Sequence, residues 1–167
     1  MYELYMLKKA QATICETTSA SSNVEISKIT PALCGGSVKG FLSACLWNVL
    51  TLGKGRVYFI RDVQKKIIHT SYVIPRCIKF PFMKGKYDIE IGPCKTEPAY
   101  RGQGLYPYVL SFIMQNALDE KGIAYMIVSD SNTSSIRGIQ KVGFTRIAQL
   151  KRDVAKRYVI TKRYIAG

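Results

Sequence analysis

Five consecutive residues carry the clearest chemical potential in this chain: Arg101-Gly102-Gln103-Gly104-Leu105. They follow an apolar stretch and open directly into an amphipathic one, so they form a glycine-rich turn between a strand and a helix. A helix start exposes free backbone N–H groups and the positive end of the macrodipole, which together hold phosphate. Glycines let that backbone approach an anion with no Cβ in the way. Taken alone, two glycines in a loop fit plain turn chemistry equally well. The turn matches neither of two better-known phosphate loops. No Lys-Ser/Thr pair follows the glycines, as a nucleoside-triphosphate loop requires. The third glycine and the acidic residue of the dinucleotide fingerprint are also missing.

Read with its context, the segment resembles the acetyl-coenzyme A loop of the GNAT N-acyltransferase superfamily. The run Tyr100-Arg101-Gly102-Gln103-Gly104 matches that motif at Arg101 and Gly104, while Tyr106 stands where glycine or alanine is usual. A second match follows in the right order: Asn132-Thr133-Ser134-Ser135-Ile136, then Lys141-Val142-Gly143-Phe144, is similar to the family's Asn-x-x-Ser/Ala-Ile and Lys-x-Gly-Phe segments. Residues 86–150 carry the resemblance. It implies an α/β (α+β) fold: a mixed, mostly antiparallel central sheet flanked by helices, with one parallel pair splayed where acetyl-CoA enters. It also implies direct transfer of an acetyl group to a primary amine in a ternary complex. Cofactor contacts then fall to Cys94, Lys95 and Thr96 on the central strand, to Arg101, Gly102, Gln103, Gly104, Leu105 and Tyr106 in the loop, and to Asn132 and Ser135 beyond it. Asn132 and Ser135 also read simply as a helix N-cap and a first-turn residue.

Such a transfer needs the amine deprotonated, donors for the developing oxyanion and a proton for the departing thiolate. Glu90 is the first candidate for the base. It alternates with Ile89 and Ile91, so its side chain projects to the opposite face, and the resemblance places a general-base glutamate on this strand. Asp88 shares that face and is the runner-up. Glu90 paired with a basic residue, and a water chain in place of any base, are the competing readings. A backbone N–H near Cys94 suits the oxyanion. The acid is unassigned, because Ile139 occupies the family's usual tyrosine position. Tyr106 and Tyr108 stand near, with structural roles favoured for both. Cys94 reads as a small buried residue rather than an acylated nucleophile, having no evident histidine partner.

The elements that must position these groups follow from periodicity and breakers. Residues 2–9 fit an edge strand, residues 13–23 a Ser/Thr-rich loop and residues 24–29 a short strand. Pro31 and Gly35-Gly36 break the chain. A helix is predicted over 38–52 with Phe41, Ala44, Cys45, Val49 and Leu52 as its apolar face, and with Trp47 in core or rim packing. Two β-rich runs, 56–63 and 67–74, form a hairpin, and His69 within the second reads as structural rather than catalytic. The loop 75–86 is a candidate wall for a substrate pocket. The central strand 87–96 contains Gly92-Pro93, a bulge or a parting from its neighbour, since proline cannot donate to a ladder. A helix then buries Leu105, Val109, Phe112, Ile113 and Ala117 and ends by Gly122. A buried parallel strand spans 123–128, a short helix runs through Ile136, and a hairpin of 144–150 with 156–165 turns at Asp153.

At 167 residues and 47% hydrophobic content the chain is expected to form a single domain, 1–167, with a real core. No apolar run is long enough for a membrane span and no secretory pattern opens the chain, so neither membrane association nor export is expected. Five scattered cysteines without a Cys-x-x-Cys pair, with a single histidine, speak against a disulfide framework and against a metal site, and for a cytoplasmic protein. The net charge of +14 implies attraction to anions. Its densest run is Lys151-Arg152, Lys156-Arg157 and Lys162-Arg163. A basic nucleic-acid-binding module is one alternative, without a recognition motif to support it; a coenzyme A-binding protein that has lost catalysis is another. Nucleic acid is not the expected partner. The expected one is a small amine acceptor, anionic rather than a polyamine. RGQGLYPYVL resembles a bacterial branch of the superfamily found with surface-polysaccharide and amino-sugar genes, which points to an amino sugar or nucleotide-linked amino sugar. A homodimer is compatible with all of this.

Overall fold

The strand carrying Glu90 and Cys94, β5 (Ile89–Thr96), lies in the interior of an eight-stranded sheet. The computed structural model describes residues 1–16, 23–30, 38–76, 80, 82–154 and 158–164. The other strands are β1 (Tyr2–Lys8), β2 (Glu25–Lys28), β3 (Arg56–Arg61), β4 (Ile67–Pro75), β6 (Ile123–Ser129), β7 (Thr145–Arg152) and β8 (Tyr158–Arg163). The described helices are α1 (Val38–Leu50), α2 (Leu105–Asn116) and α3 (Thr133–Lys141). The order across the sheet is β2-β3-β4-β5-β6-β1-β7-β8. All neighbours run antiparallel except β5 and β6, which are parallel. The mixed α/β fold with one parallel pair is the architecture the resemblance implied.

Side chains alternate across the strands and both faces are buried. On one face α2 and α3 cover Tyr5, Tyr58, Ile60, Ile91 and Met126, with Leu105, Val109 and Ile113 of α2 supplying the lid. On the other, Leu4, Val57, Phe59 and Ile74 pack with Ala44 of α1 and with Phe80 and Met83. Trp47 stacks on Phe80 with ring centroids 6.4 Å apart, the rim packing expected of it. In α2, Leu110 and Met114 are also buried, whereas Phe112 and Ala117 only flank the core. The helix ends at Asn116, short of Gly122. No helix among the described residues is long and apolar enough to cross a membrane.

Three expectations are corrected. Residues 2–8 form no edge strand: β1 pairs with β6 on one side and β7 on the other. Its hydrophobic alternation is blurred because an interior strand is covered on both faces. The face of α1 turned inward is not the expected one. Phe41, Val49 and Leu52 are 54%, 72% and 83% exposed and Cys45 is also exposed, while Ala44 and Thr51 are buried. Asn48 anchors the helix, its Nδ2 donating to the Ile29 carbonyl at 2.9 Å. Finally, β3 stops at Arg61, because Asp62 Oδ1 accepts the N–H groups of Gln64 and Lys66, each at 2.9 Å, and closes the turn before Val63 can extend the strand. Parts of the expected 13–23 loop and 75–86 pocket wall, the break at 31–37 and Lys156-Arg157 lie outside the described residues.

The parallel pair opens early. Between β5 and β6 the register holds only at Ile89↔Ala124 and Glu90↔Tyr125. The antiparallel ladder of β5 with β4 continues to His69↔Thr96, with a register shift between Ser71 and Val73 opposite the cis Gly92-Pro93 peptide. Beyond Glu90, then, β5 follows β4 and leaves β6. The closed end is pinned by Asp88, whose carboxylate accepts the N–H of Ile123 at 3.1 Å and of Gly85 at 2.8 Å. Gly122 lies against the Tyr87 carbonyl, with no room for a Cβ.

Candidate functional site

A cleft of about 530 Å³ occupies the gap that β5 leaves, between the far half of that strand and the first turns of α2 and α3. Ten of the residues singled out in the sequence line it: Cys94, Lys95, Thr96, Arg101, Gly102, Gly104, Leu105, Tyr106, Asn132 and Ser135. Gln103 and Glu90 are not among its walls. Gln103 turns back to donate from Nε2 to the Ala99 carbonyl at 3.3 Å. Reading the sequence missed Tyr100, Pro107, Ser134, Arg137 and Gly138. For Ser134 and Arg137 a signal was present. They are three residues apart on a helix, hence on one face, and Ser134 sits beside the Asn132 cap.

The mouth of the cleft is built to meet an anion. Gly104 precedes α2 in the left-handed conformation (φ +78°), and no side chain caps the helix start. Gly102 is also left-handed (φ +79°), with open space where a Cβ would point. The first turn of α2 contains no acidic residue, and Lys95, Arg101 and Arg137 bring positive charge to the walls. The loop is held from beneath. Arg101 Nε donates to the Thr96 carbonyl at 3.2 Å, and the Tyr100 hydroxyl donates to Asp62 Oδ2 at 2.9 Å. Lys95 pairs with Glu97 at 2.9 Å. Asn132 caps α3: its Oδ1 accepts from the Ser135 N–H at 3.2 Å and from the Ser134 hydroxyl at 3.1 Å.

Behind the cleft, β4 and β5 present a polar square on an otherwise apolar face. His69 pairs across the strands with Thr96, and Ser71 with Cys94. His69 Nδ1 lies 2.7 Å from Thr96 Oγ1 and Nε2 lies 2.8 Å from Ser71 Oγ. The Ser71 and Tyr106 hydroxyls lie near Cys94. Burial lowers the His69 imidazole to about 4, so it is neutral near pH 7. Burial also pushes the Cys94 thiol up to about 12. Only a thiolate attacks an acyl carbon readily, so Cys94 is no nucleophile here.

Glu90 is buried, on the sheet face opposite α2, with Ile74 and Tyr125 as its cross-strand neighbours. It sits at the last paired position before the strands part, its carboxylate over Gly92, where an added Cβ would meet Oε1 at 2.9 Å. Asp88 is spent on the clamp at the closed end, which removes it as a base. Ile139, at the position where a tyrosine was sought, is a buried core residue of α3. Among the described residues no three His, Cys, Asp or Glu side chains gather as metal ligands would.

No family profile matches the sequence, and no curated protein does. Solved structures do. The chain is similar to a GNAT-family acetyltransferase from Colwellia psychrerythraea, with 14% identity and a TM-score of 0.60 over 87% of this chain and 52% of that one. It is similar to a tandem GNAT protein of the clavulanic acid biosynthesis pathway, with 11% identity and a TM-score of 0.60 over 87% and 50%. An aminoglycoside antibiotic 6'-N-acetyltransferase from Acinetobacter baumannii aligns at 15% identity with a TM-score of 0.51, over 79% of this chain and 99% of that one. The chain thus spans about half the length of the first two structures and nearly all of the third. At such identities the likeness is one of architecture, and the mixed, mostly antiparallel sheet with one parallel pair is the GNAT fold.

Proposed function

We propose that residues 1–167 form a single catalytic domain that transfers an acetyl group from acetyl-CoA to the primary amine of a small acceptor. One observation carries the reading: the sheet opens immediately after Glu90, and the glycine turn with its uncapped helix stands at the entrance to that opening. The residues present fit the cofactor. Phosphates would complete the free start of α2, with Arg101 and Arg137 as counter-charges, and the unpaired edge of β5 near Cys94 and Thr96 offers backbone groups to the pantetheine amides. Tyr106 is the departure from the family's small residue, and its ring is accommodated because α3 has glycine at position 138.

When bound, acetyl-CoA supplies a thioester carbonyl open to attack. The chain does the rest by position and charge. Glu90, on the far side of the sheet from the cleft, takes the proton of an amine that approaches from the α1 face. A backbone N–H at Cys94 stabilises the oxyanion. Holding the two reactants on opposite mouths of one gap supplies much of the rate by orientation. A net charge of +14 favours an anionic acceptor, and an amino sugar or nucleotide-linked amino sugar is the class we would assay first.

Calorimetric titration with acetyl-CoA tests the reading directly, followed by release of free thiol with a panel of primary amines. Micromolar binding and turnover on an amine are expected. Replacing Glu90 by Gln should lower turnover at least tenfold, an effect on the order of 1.4 kcal/mol or more on the barrier, and leave cofactor affinity intact. No heat of binding would end the proposal. Binding without turnover on any amine would leave a coenzyme A-binding protein.

A further inference from the structure

We propose that α1 docks the protein on an anionic lipid surface, lying flat with its exposed apolar stripe among the lipids and its bordering lysines on the headgroups. Phe41, Leu42, Cys45, Leu46 and Val49 are all exposed, and they recur at the spacing of one helical face. A helix of a globular protein ordinarily turns such a stripe inward. Here Ala44, Asn48 and Thr51 face the sheet instead, so the core makes no use of the stripe. Leu52, just past the helix, is also exposed, and its backbone is left-handed (φ +50°). That conformation disfavours a leucine, so neither core burial nor turn geometry accounts for one there.

The charge around the stripe selects the occupant. Between Glu25 and Asp88 the sequence holds one acidic residue, Asp62, against eleven lysines and arginines. Asp62 is committed to its own turn and to Tyr100, and Glu25 is paired with Arg61 at 3.3 Å. Lys39 in the first turn of α1 and Lys54 beyond its end are exposed. So are Lys28, next to the Ile29 that Asn48 holds, and Lys84, next to the Met83 that packs in the same cluster as Ala44. Apolar side chains bordered by lysines, with no unpaired carboxylate among the described residues of α1 and these borders, complement a surface that is greasy within and negative at its headgroups.

Size argues the same way. With 13 residues α1 is about 20 Å long. That is too short to cross a bilayer and suited to lying in its interface. The expectation of no membrane association rested on the lack of a spanning run, which interfacial binding does not require. A stripe of this length offers roughly a few hundred Å², below the about 800 Å² per partner of a stable protein pair. A second copy would also set two faces of the same positive sign against each other. A bilayer escapes both objections. The inference does not depend on the acetyl-CoA reading.

Trp47, the chain's one tryptophan, lies in α1 and serves as the reporter. The full chain is mixed, at about 0.1 M salt, with vesicles of phosphatidylcholine alone, of phosphatidylcholine with phosphatidylserine, and of the latter mixture with brominated acyl chains. Co-sedimentation with the phosphatidylserine vesicles only, and quenching of Trp47 by the brominated chains, are expected. Leu46→Ser combined with Val49→Ser, both at exposed positions, should weaken binding about tenfold or more, and Lys39→Gln with Lys54→Gln several-fold. Vesicle binding that leaves Trp47 unquenched would mean that diffuse positive charge meets the lipid away from α1, and it overturns the proposal in the wild type however the variants fold. Equal binding by the folded Leu46→Ser, Val49→Ser protein overturns it as well. So does a failure to bind vesicles; if sedimentation velocity then shows a dimer that the same two substitutions dissociate, the face belongs to a second copy.

Discussion

His69 shows how much a single residue can mean once its neighbours are known. From the sequence it was a lone strand histidine, read as structural. In the fold it is fully buried, and both ring nitrogens are bonded, to Thr96 and Ser71. Its native-state affinity for protons is lowered to about 4 from an ordinary 6.5, because burial disfavours the imidazolium. Between those values the unfolded chain binds a proton that the native chain refuses, so stability rises with pH across the window. It is complete above 6.5 and is lost progressively as pH falls towards 4. At 1.36 kcal/mol per unit the loss is about 3 kcal/mol. Urea unfolding of the wild type and of His69→Gln, measured at several pH values from 7.5 downwards, isolates this term from the carboxylates common to both. The wild-type curve should fall more steeply. Parallel curves would mean that the buried imidazole accepts a proton without penalty.

At the scale of elements, legibility tracked how one-sided each environment is. The hairpin of β3 and β4, the run of β6 and the glycine turn before α2 announced themselves because local pattern and final surroundings agree. Most of the cleft's walls were legible for the same reason: Arg101, Gly102, Gly104, Leu105, Tyr106, Asn132 and Ser135 lie at helix starts, and helix starts are local features. The strand β1 was misplaced because its neighbours, β6 and β7, lie more than a hundred residues away and nothing in residues 2–8 encodes them. The inward face of α1 was misassigned because polar residues share it with Ala44 and Trp47. Asn48 ties it to the Ile29 carbonyl and the buried Thr51 hydroxyl donates back to the Trp47 carbonyl, while Phe41 and Val49 face outward. The polar square of His69, Ser71, Cys94 and Thr96 was invisible for want of the strand register that assembles it. Gly138 belongs at this scale too. In a helix interior Gly→Ala ordinarily gains about 1 kcal/mol. Here the new methyl would press on the Tyr106 ring, so Gly138→Ala should lose stability by about 1 kcal/mol instead. A full gain in the urea midpoint would show that the ring yields freely.

Over the whole molecule the charge is one-sided, 25 basic against 11 acidic residues, but it is not gathered into a single track. On the β7–β8 hairpin, Arg152 lies over Tyr2 and Tyr158, whereas Arg146 and Lys162 lie over Tyr164, and Arg146 also pairs with the buried Glu3 at 3.6 Å. Cations stacked on rings keep part of their bonding capacity for the protein itself. By contrast Lys95, Arg101 and Arg137 converge on one cleft. A field of this kind acts mainly by drawing an anion inward, so it should govern the rate of association more than the rate of release. Stopped-flow binding of acetyl-CoA is therefore expected to slow several-fold as salt rises from about 0.05 M to about 0.5 M, where the screening length drops from about 14 Å to about 4 Å, while dissociation changes little. A short DNA duplex, titrated alongside at both salts, should compete poorly with the cofactor. If the duplex instead bound more tightly than acetyl-CoA at the higher salt, the charge would be serving an extended polyanion across the surface, and the cleft would be incidental to it.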